Sequence, residues 1–212
     1  MPDVSVLYAD TGVLVLDKPA GMLSVPGRGE DKQDCLSRRA QSQFPDARVV
    51  HRLDMATSGL MLMARGALAQ TALGKAFAAR SVHKRYQALA HGLLPEQEGR
   101  WQEITLPLAV DWPNRPRRII CEASGKPSLT RWRVLSHTQD GCTRLELEPV
   151  TGRSHQLRVH LLAIGHGIVG DRLYLAPESA PGAERLMLHA TQIRFNHPLT
   201  GTSMEFSSTP AF

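Results

Sequence analysis

The chain has 212 residues, enough to bury a sizeable core in one large or two small domains, and one domain over residues 1–212 is the expectation. Hydrophobic residues make up 42% and charged residues 21%, without a low-complexity tract, which excludes a disordered chain, while the net charge of +5 favours a polyanionic partner. Three cysteines, Cys35, Cys121 and Cys142, are odd in number and lack C-x-x-C spacing, which argues against a disulfide framework and a zinc site. The start of the sequence has no signal-like segment and no apolar run approaches bilayer length, so a cytoplasmic protein that engages no membrane is expected.

Val4–Tyr8 and Val13–Asp17 are short β-rich runs separated by Ala9-Asp10-Thr11-Gly12, which predicts an opening hairpin. After the loop Lys18-Pro19-Ala20-Gly21, Asp34–Phe44 reads as a polar helix stopped by Pro45. Leu60–Ala64 is an all-apolar run of strand length. Ala67–Ala79 is helical, with Leu68, Ala72, Leu73, Ala76 and Phe77 on one side.

From Val82 strands dominate: His83–Ala90, Trp101–Leu106, Arg117–Cys121, Leu129–Leu135, Thr143–Glu148, Met187–Phe195 and a last piece near Met204. The segment Ser154–Gly165 interrupts them as a helix, with Ser154 as N-cap and Gly165 as stop. The pattern predicts an α+β fold, a mostly antiparallel mixed sheet flanked by helices and loops. The stretch Asp111–Arg118 holds two prolines, Trp112 and three arginines, and reads as a shaped basic loop.

Chemistry concentrates in His51-Arg52-Leu53-Asp54-Met55-Ala56-Thr57-Ser58-Gly59, a polar loop between two apolar runs, where a rigid scaffold presents functional groups. An Asp in such a loop is more often a turn residue than a nucleophile, and Thr57, Ser58 and Gly59 are good turn formers. The complete string changes that balance. His51-Arg52-Leu53-Asp54, two free positions, then Thr57-Ser58-Gly59 resembles the catalytic motif of the pseudouridine synthases of the RluA family.

The resemblance spans nearly the entire chain. Asp17-Lys18-Pro19-Ala20-Gly21, Lys84-x-Tyr86-x-Ala88, Thr151 through His160 (TGRSHQLRVH) and Arg185-Leu186-Met187-Leu188-His189-Ala190 follow in the family's order. No S4-type RNA-binding domain is visible, and Asp111–Pro116 and Gly167–Tyr174 resemble the branch of the family with dual RNA specificity. The resemblance implies a single catalytic domain that acts on tRNA and large-subunit rRNA, as a monomer and without a cofactor.

It also implies roles for particular residues. Asp54 is the nucleophile, attacking either the ribose or the uracil ring. Burial disfavours a carboxylate's charged form, so Asp54 calls for a cationic neighbour. Arg158, at helical spacing from Leu161 and Leu162, cannot lie wholly on a solvent face and is the expected partner. Tyr86 shares a strand face with Ala88 and Ala90, small neighbours that would leave its ring uncovered for a flipped uracil. Arg52 is expected to fill the space the extruded base leaves. Leu188 is expected on the pocket wall, with His51 and Thr57 on the substrate side of the loop.

For gripping RNA, Arg153 and Arg115 lead a set that includes Arg117, Arg118, Lys84 and Arg85. Among nine histidines, His155, His160 and His166 are spaced five and six apart, which does not set ligands on one helical face, and no metal site is expected. Two other readings fit less: a non-catalytic RNA-binding module, against which stand Asp54, Tyr86 and Arg158 together, and a small-molecule hydrolase or lyase, which leaves the basic loop unused.

Overall fold

The computed structural model describes residues 4–95, 99–176 and 183–212. In chain order the strands are β1 Ser5–Ala9, β2 Val13–Lys18, β3 Ala47–Val49, β4 Ser58–Arg65, β5 His83–His91, β6 Gln102–Ile104, β7 Leu108–Val110, β8 Arg118–Ile120, β9 Thr130–His137, β10 Cys142–Pro149, β11 Leu188–Asn196 and β12 Ser203–Ser207. The helices are α1 Leu36–Gln43, α2 Gly66–Ala78 and α3 Gln156–Ala163. The chain divides into two compact units, the first built from Met1–Lys84 and His189–Ala211, the second from Arg85–Leu188 with Phe212.

In the first unit the expected hairpin forms. Asp10 closes it: its Oδ1 accepts the N–H groups of Gly12 at 2.7 Å and Val13 at 2.8 Å. Burial pushes the Asp10 carboxyl up, but these backbone donors, with Tyr8 and His197, outweigh it and bring it down to about 2. Strand β4 is the spine. It pairs antiparallel with β2 from Val13↔Ala64 to Lys18↔Gly59, while its other edge meets β11 in parallel at Ser58 and Gly59 and β3 at Met63 to Arg65. Ser58–Ala64 are all buried, so both faces of β4 are covered, and Leu60–Ala64 is accordingly apolar at every position. Strand β12 pairs with β11 in antiparallel register.

Helix α2 forms where expected but turned by a step: Ala69 and Leu73 are buried one turn apart, and Leu68 is 81% exposed. Leucine at an exposed helix position costs little, so its hydrophobicity misplaced the face.

In the second unit the order β5-β10-β9-β6 is antiparallel throughout, and β7 and β8 form a separate two-stranded ribbon whose connection, residues 111–117, is the basic loop. The short strands β3 and β7 had no periodicity long enough to be seen in the sequence. Helix α3 begins at Gln156 and not after a Ser154 cap. His155 precedes it in the left-handed region at φ 58°, and no side chain caps the end. The Gln156 side chain organises that corner instead: its Oε1 accepts from the Thr151 hydroxyl and the Arg153 N–H, and its Nε2 donates to the Leu129 carbonyl. Gly165, at φ 83°, follows the helix as expected. Among the described residues no helix is long and apolar enough to cross a membrane.

Candidate functional site

The loop between β3 and β4 is fixed on both sides of Asp54. The Leu53 N–H donates to the Ser24 hydroxyl at 3.1 Å, and that hydroxyl returns a bond to the Leu53 carbonyl at 2.7 Å. The Met55 carbonyl accepts from the Gly21 N–H at 2.9 Å and from Lys18 Nζ at 3.1 Å. The Asp54 carbonyl accepts from the Thr57 N–H at 3.1 Å, closing a tight turn with Thr57 buried. The backbone on both sides of Asp54 is thereby held in one conformation.

Lys18 is fully buried, and its three ammonium protons go to the carbonyls of Pro19, Met22 and Met55. Burial pushes it down to about 8, against which the negative charge of Asp54 holds it up. The first unit therefore brings a cation of its own to the Asp54 loop. Lys18 stands in the motif Asp17–Gly21, where the sequence alone assigns it no role. Its signal was faint: a lysine two positions past the wholly apolar run Val13–Leu16, on the same strand and just before Pro19.

His51 faces the scaffold. Its Nε2 accepts the Leu62 N–H at 2.9 Å, in the gap along β4 between the stretch paired with β11 and that paired with β3. The ring stacks on Phe77 with centroids 4.8 Å apart. Desolvation, and then the positive charge of Lys84, bring the imidazole down to about 3, so it is neutral with its proton on Nδ1. Arg52, next in the chain, is exposed.

In the second unit Tyr86 lies on the buried face of β5 with Ala88 and Ala90, as the alternation predicts. Its ring is covered, however, at 8% exposure. The small neighbours along the strand do leave room, but Leu147 of β10 is directly opposite Tyr86 and Leu145 opposite Ala88, and both leucines are buried.

Arg158 is buried in α3, at 6% side-chain exposure. Its guanidinium clasps Asp171, which is 2% exposed, with Nε at 2.8 Å from Oδ2 and Nη2 at 2.6 Å from Oδ1. The Tyr174 ring is 5.0 Å from the guanidinium carbon, and its hydroxyl accepts the Arg118 N–H at 2.8 Å and pairs with His155 Nδ1 at 2.7 Å. Asp171 and Tyr174 were in the quoted string Gly167–Tyr174 without a role. Asp54, the partner expected for Arg158 from the sequence, belongs to the first unit and Arg158 to the second.

Leu188 is buried at the start of β11. Arg153 is exposed just before α3. Arg115 packs its guanidinium 4.6 Å from the ring of Trp112, which is 66% exposed, so the basic loop presents an open aromatic surface beside its charges.

A family model described as RNA pseudouridylate synthase matches residues 12–163. The chain is 47% identical over 207 residues to a Yersinia pestis protein named Dual-specificity RNA pseudouridine synthase RluA, covering 98% of this chain and 99% of the relative. A protein of the same name from Escherichia coli (strain K12) is 44% identical over 211 residues, covering 100% of this chain and 95% of the relative. Among solved structures, Human RNA Pseudouridylate Synthase Domain Containing 1 matches with a TM-score of 0.81 at 31% identity, covering 99% of this chain and 84% of that one. Human RNA Pseudouridylate Synthase Domain Containing 4 matches with a TM-score of 0.71 at 23% identity, covering 97% and 88%, a likeness of fold.

Proposed function

From the premise that this chain belongs to the RNA pseudouridylate synthase family and isomerises uridine in RNA, we propose that Asp54 is its nucleophile, with Tyr86 and Arg158 completing the catalytic set, and that its substrates are stem-loops of both tRNA and large-subunit rRNA. The isomerisation breaks the glycosidic bond at N1 of uracil, turns the base and forms a bond to the same ribose carbon through C5. The C5 proton is lost and N1 gains one, so every atom is conserved and no cofactor is required. Asp54 supplies the electron pair that holds the reaction together between the two bonds. Arg158 balances its charge, and Tyr86 packs against the turning base and moves a proton. Arg52 fills the space of the extruded nucleotide, and Leu188 lines the pocket. Arg153 and Arg115 hold phosphates, while His51 and Thr57 keep the loop in shape.

The observation that carries the reading is the anchoring of Leu53 and Met55 on either side of Asp54, above the buried ammonium of Lys18. Two RNA classes follow from the relatives' printed dual specificity and from the physics of loops, whose unstacked bases are the part of RNA a small protein can read. The test is a rate comparison, with purified protein, on an isolated anticodon stem-loop, a ribosomal hairpin and their parent RNAs. Both hairpins should react nearly as fast as their parents and compete for one site. Reaction with intact ribosomal RNA alone, the tRNA stem-loop being inert, would refute the dual reading.

A further inference from the structure

We propose that His189 is a positioning residue for this reaction: it holds the Ser58 hydroxyl, and through it the end of the Asp54 loop, in a hydrogen-bond chain running Asp17–Ser208–His189–Ser58. The inference rests on the reading of Asp54 as nucleophile and adds what fixes its loop from the C-terminal side. The chain is built from short contacts within one unit. The Ser208 hydroxyl donates to Asp17 Oδ2 at 2.7 Å, His189 Nε2 is 2.9 Å from Ser208 Oγ, and His189 Nδ1 is 2.9 Å from Ser58 Oγ.

Counting protons gives it a direction. A carboxylate accepts, so Ser208 spends its only proton on Asp17 and must accept from His189. In the neutral imidazole that places the proton on Nε2, leaves Nδ1 to accept, and makes Ser58 the donor to it. The negative charge of Asp17 thus sets the tautomer of a buried histidine and the orientation of a buried serine, each defined by the bond on its far side.

The backbone shows why this bears on Asp54. Ser58 faces His189 in the parallel pairing of β4 with β11, and the next pair is Gly59 with Ala190. Gly59 has φ 103°, and a Cβ there would be 2.3 Å from the Ala190 carbonyl oxygen, so the two strands meet as closely as backbones can. Ser58 is four residues past Asp54, and the Thr57 N–H to Asp54 carbonyl bond passes any shift of Ser58 directly to Asp54. The last two residues of β2 therefore act on the loop together: Lys18 holds its Met55 carbonyl, and Asp17, through Ser208 and His189, holds its end at Ser58.

The experiment separates the two bonds of His189. His189→Asn places an amide oxygen near the Nδ1 position and keeps the acceptor for Ser58. His189→Gln places an amide nitrogen near Nε2 and keeps only the bond to Ser208. Single-turnover rates with enzyme in excess, RNA affinity and melting temperature are measured for both, for Ser58→Ala, and for Ser58→Ala combined with His189→Gln. Ser58→Ala and His189→Gln should lower the rate by similar factors, on the order of 10- to 100-fold for a slightly misplaced nucleophile. RNA affinity should stay within about threefold, the double variant should be no slower than either single one, and His189→Asn should recover most of the rate. Multiplying losses in the double variant, or unchanged rates beside a lowered melting temperature, would overturn the proposal. If the His189 variants fail to fold, Ser58→Ala and Ser208→Ala decide it by the same comparison. Asp54→Asn is the control. A working Asp54→Asn refutes the nucleophile itself, whereas a dead Asp54→Asn beside a normal Ser58→Ala refutes the positioning chain alone.

Discussion

Removing the carboxylate of Asp171 should be among the most damaging single changes in the second unit. The Arg158–Asp171 pair is almost inaccessible to solvent, at 6% and 2% side-chain exposure, and bidentate at 2.6 and 2.8 Å. Two charges about 4 Å apart attract by about 4 kcal/mol at an effective dielectric near 20. In Asp171→Ala the guanidinium loses its bidentate carboxylate. The Tyr174 ring contributes only about 0.5–2 kcal/mol to holding a cation and cannot substitute. Asp171→Ala should therefore cost about 3–5 kcal/mol, and so should Arg158→Met. The double variant Asp171→Ala with Arg158→Met, which removes both charges, should lose several kcal/mol less than the sum of the two single losses. The assay is urea unfolding followed by tryptophan fluorescence. Trp101, Trp112 and Trp132 all belong to the second unit and report on its unfolding. With an m-value of about 2–3 kcal/mol per molar, each single variant should lose roughly 1–2 M in midpoint. Single losses under about 1 kcal/mol, or a double variant whose loss is the sum of the singles, would refute the reasoning and show that another group sets the state of Arg158.

Asp54→Asn, nearly isosteric, should abolish pseudouridine formation while RNA affinity stays within a few fold; product formation at a comparable rate, followed by nucleoside analysis, would end the mechanism. His51, neutral in the folded protein because burial and Lys84 bring it down to about 3, takes up a proton in the unfolded chain near pH 6.5. Its contribution to stability is complete above pH 6.5 and is lost as pH falls toward 3, by up to about 1.4 kcal/mol per pH unit. The slope of stability against pH in that window should flatten in His51→Gln, and an identical slope would show that other groups set it. RNA affinity should fall steeply with salt, each phosphate contact adding about 0.7–0.9 to the log–log slope. Arg115→Ala should reduce that slope by about one such step, measured by fluorescence anisotropy, and an unchanged slope would remove Arg115 from the interface.

Local rules carried the sequence reading wherever one strand or helix determines its own pattern. The Asp10–Gly12 turn, the continuous apolar run Leu60–Ala64 and the Gly165 stop each follow from residues within a few positions of one another. Tyr86 shows where that ends. Its neighbours along β5 are small, yet it is buried, and the residue facing it in the sheet is Leu147 of the adjacent strand, 61 positions away. Asp171 was hidden for the same reason. Thirteen residues separate it from Arg158, and no spacing rule marks a carboxylate that will meet a guanidinium by way of a turn. Asp54 itself was legible only through the complete string His51–Gly59, since a lone Asp in a loop reads as a turn. The chain Asp17–Ser208–His189–Ser58 joins residues from both ends of the sequence and had no local signature at all.

The first unit is discontinuous: Met1–Lys84 finds its complement in His189–Ala211, and the second unit, apart from Phe212, is spelled out between them. This orders events during translation. At about 5–20 residues per second, a ribosome needs about 5–20 s to add Arg85–Leu188 after finishing Lys84. During that interval β4 is without its parallel partner, and Ser58 and Gly59 have nothing to pair with along that edge. The segment holding Asp54 is thus the older half of a structure that closes last, after the intervening unit has had time to fold. Chains released after Leu188 should expose residues 4–84 to protease while protecting residues 99–176. Equal protection of both segments would show that the first unit closes without its final strands.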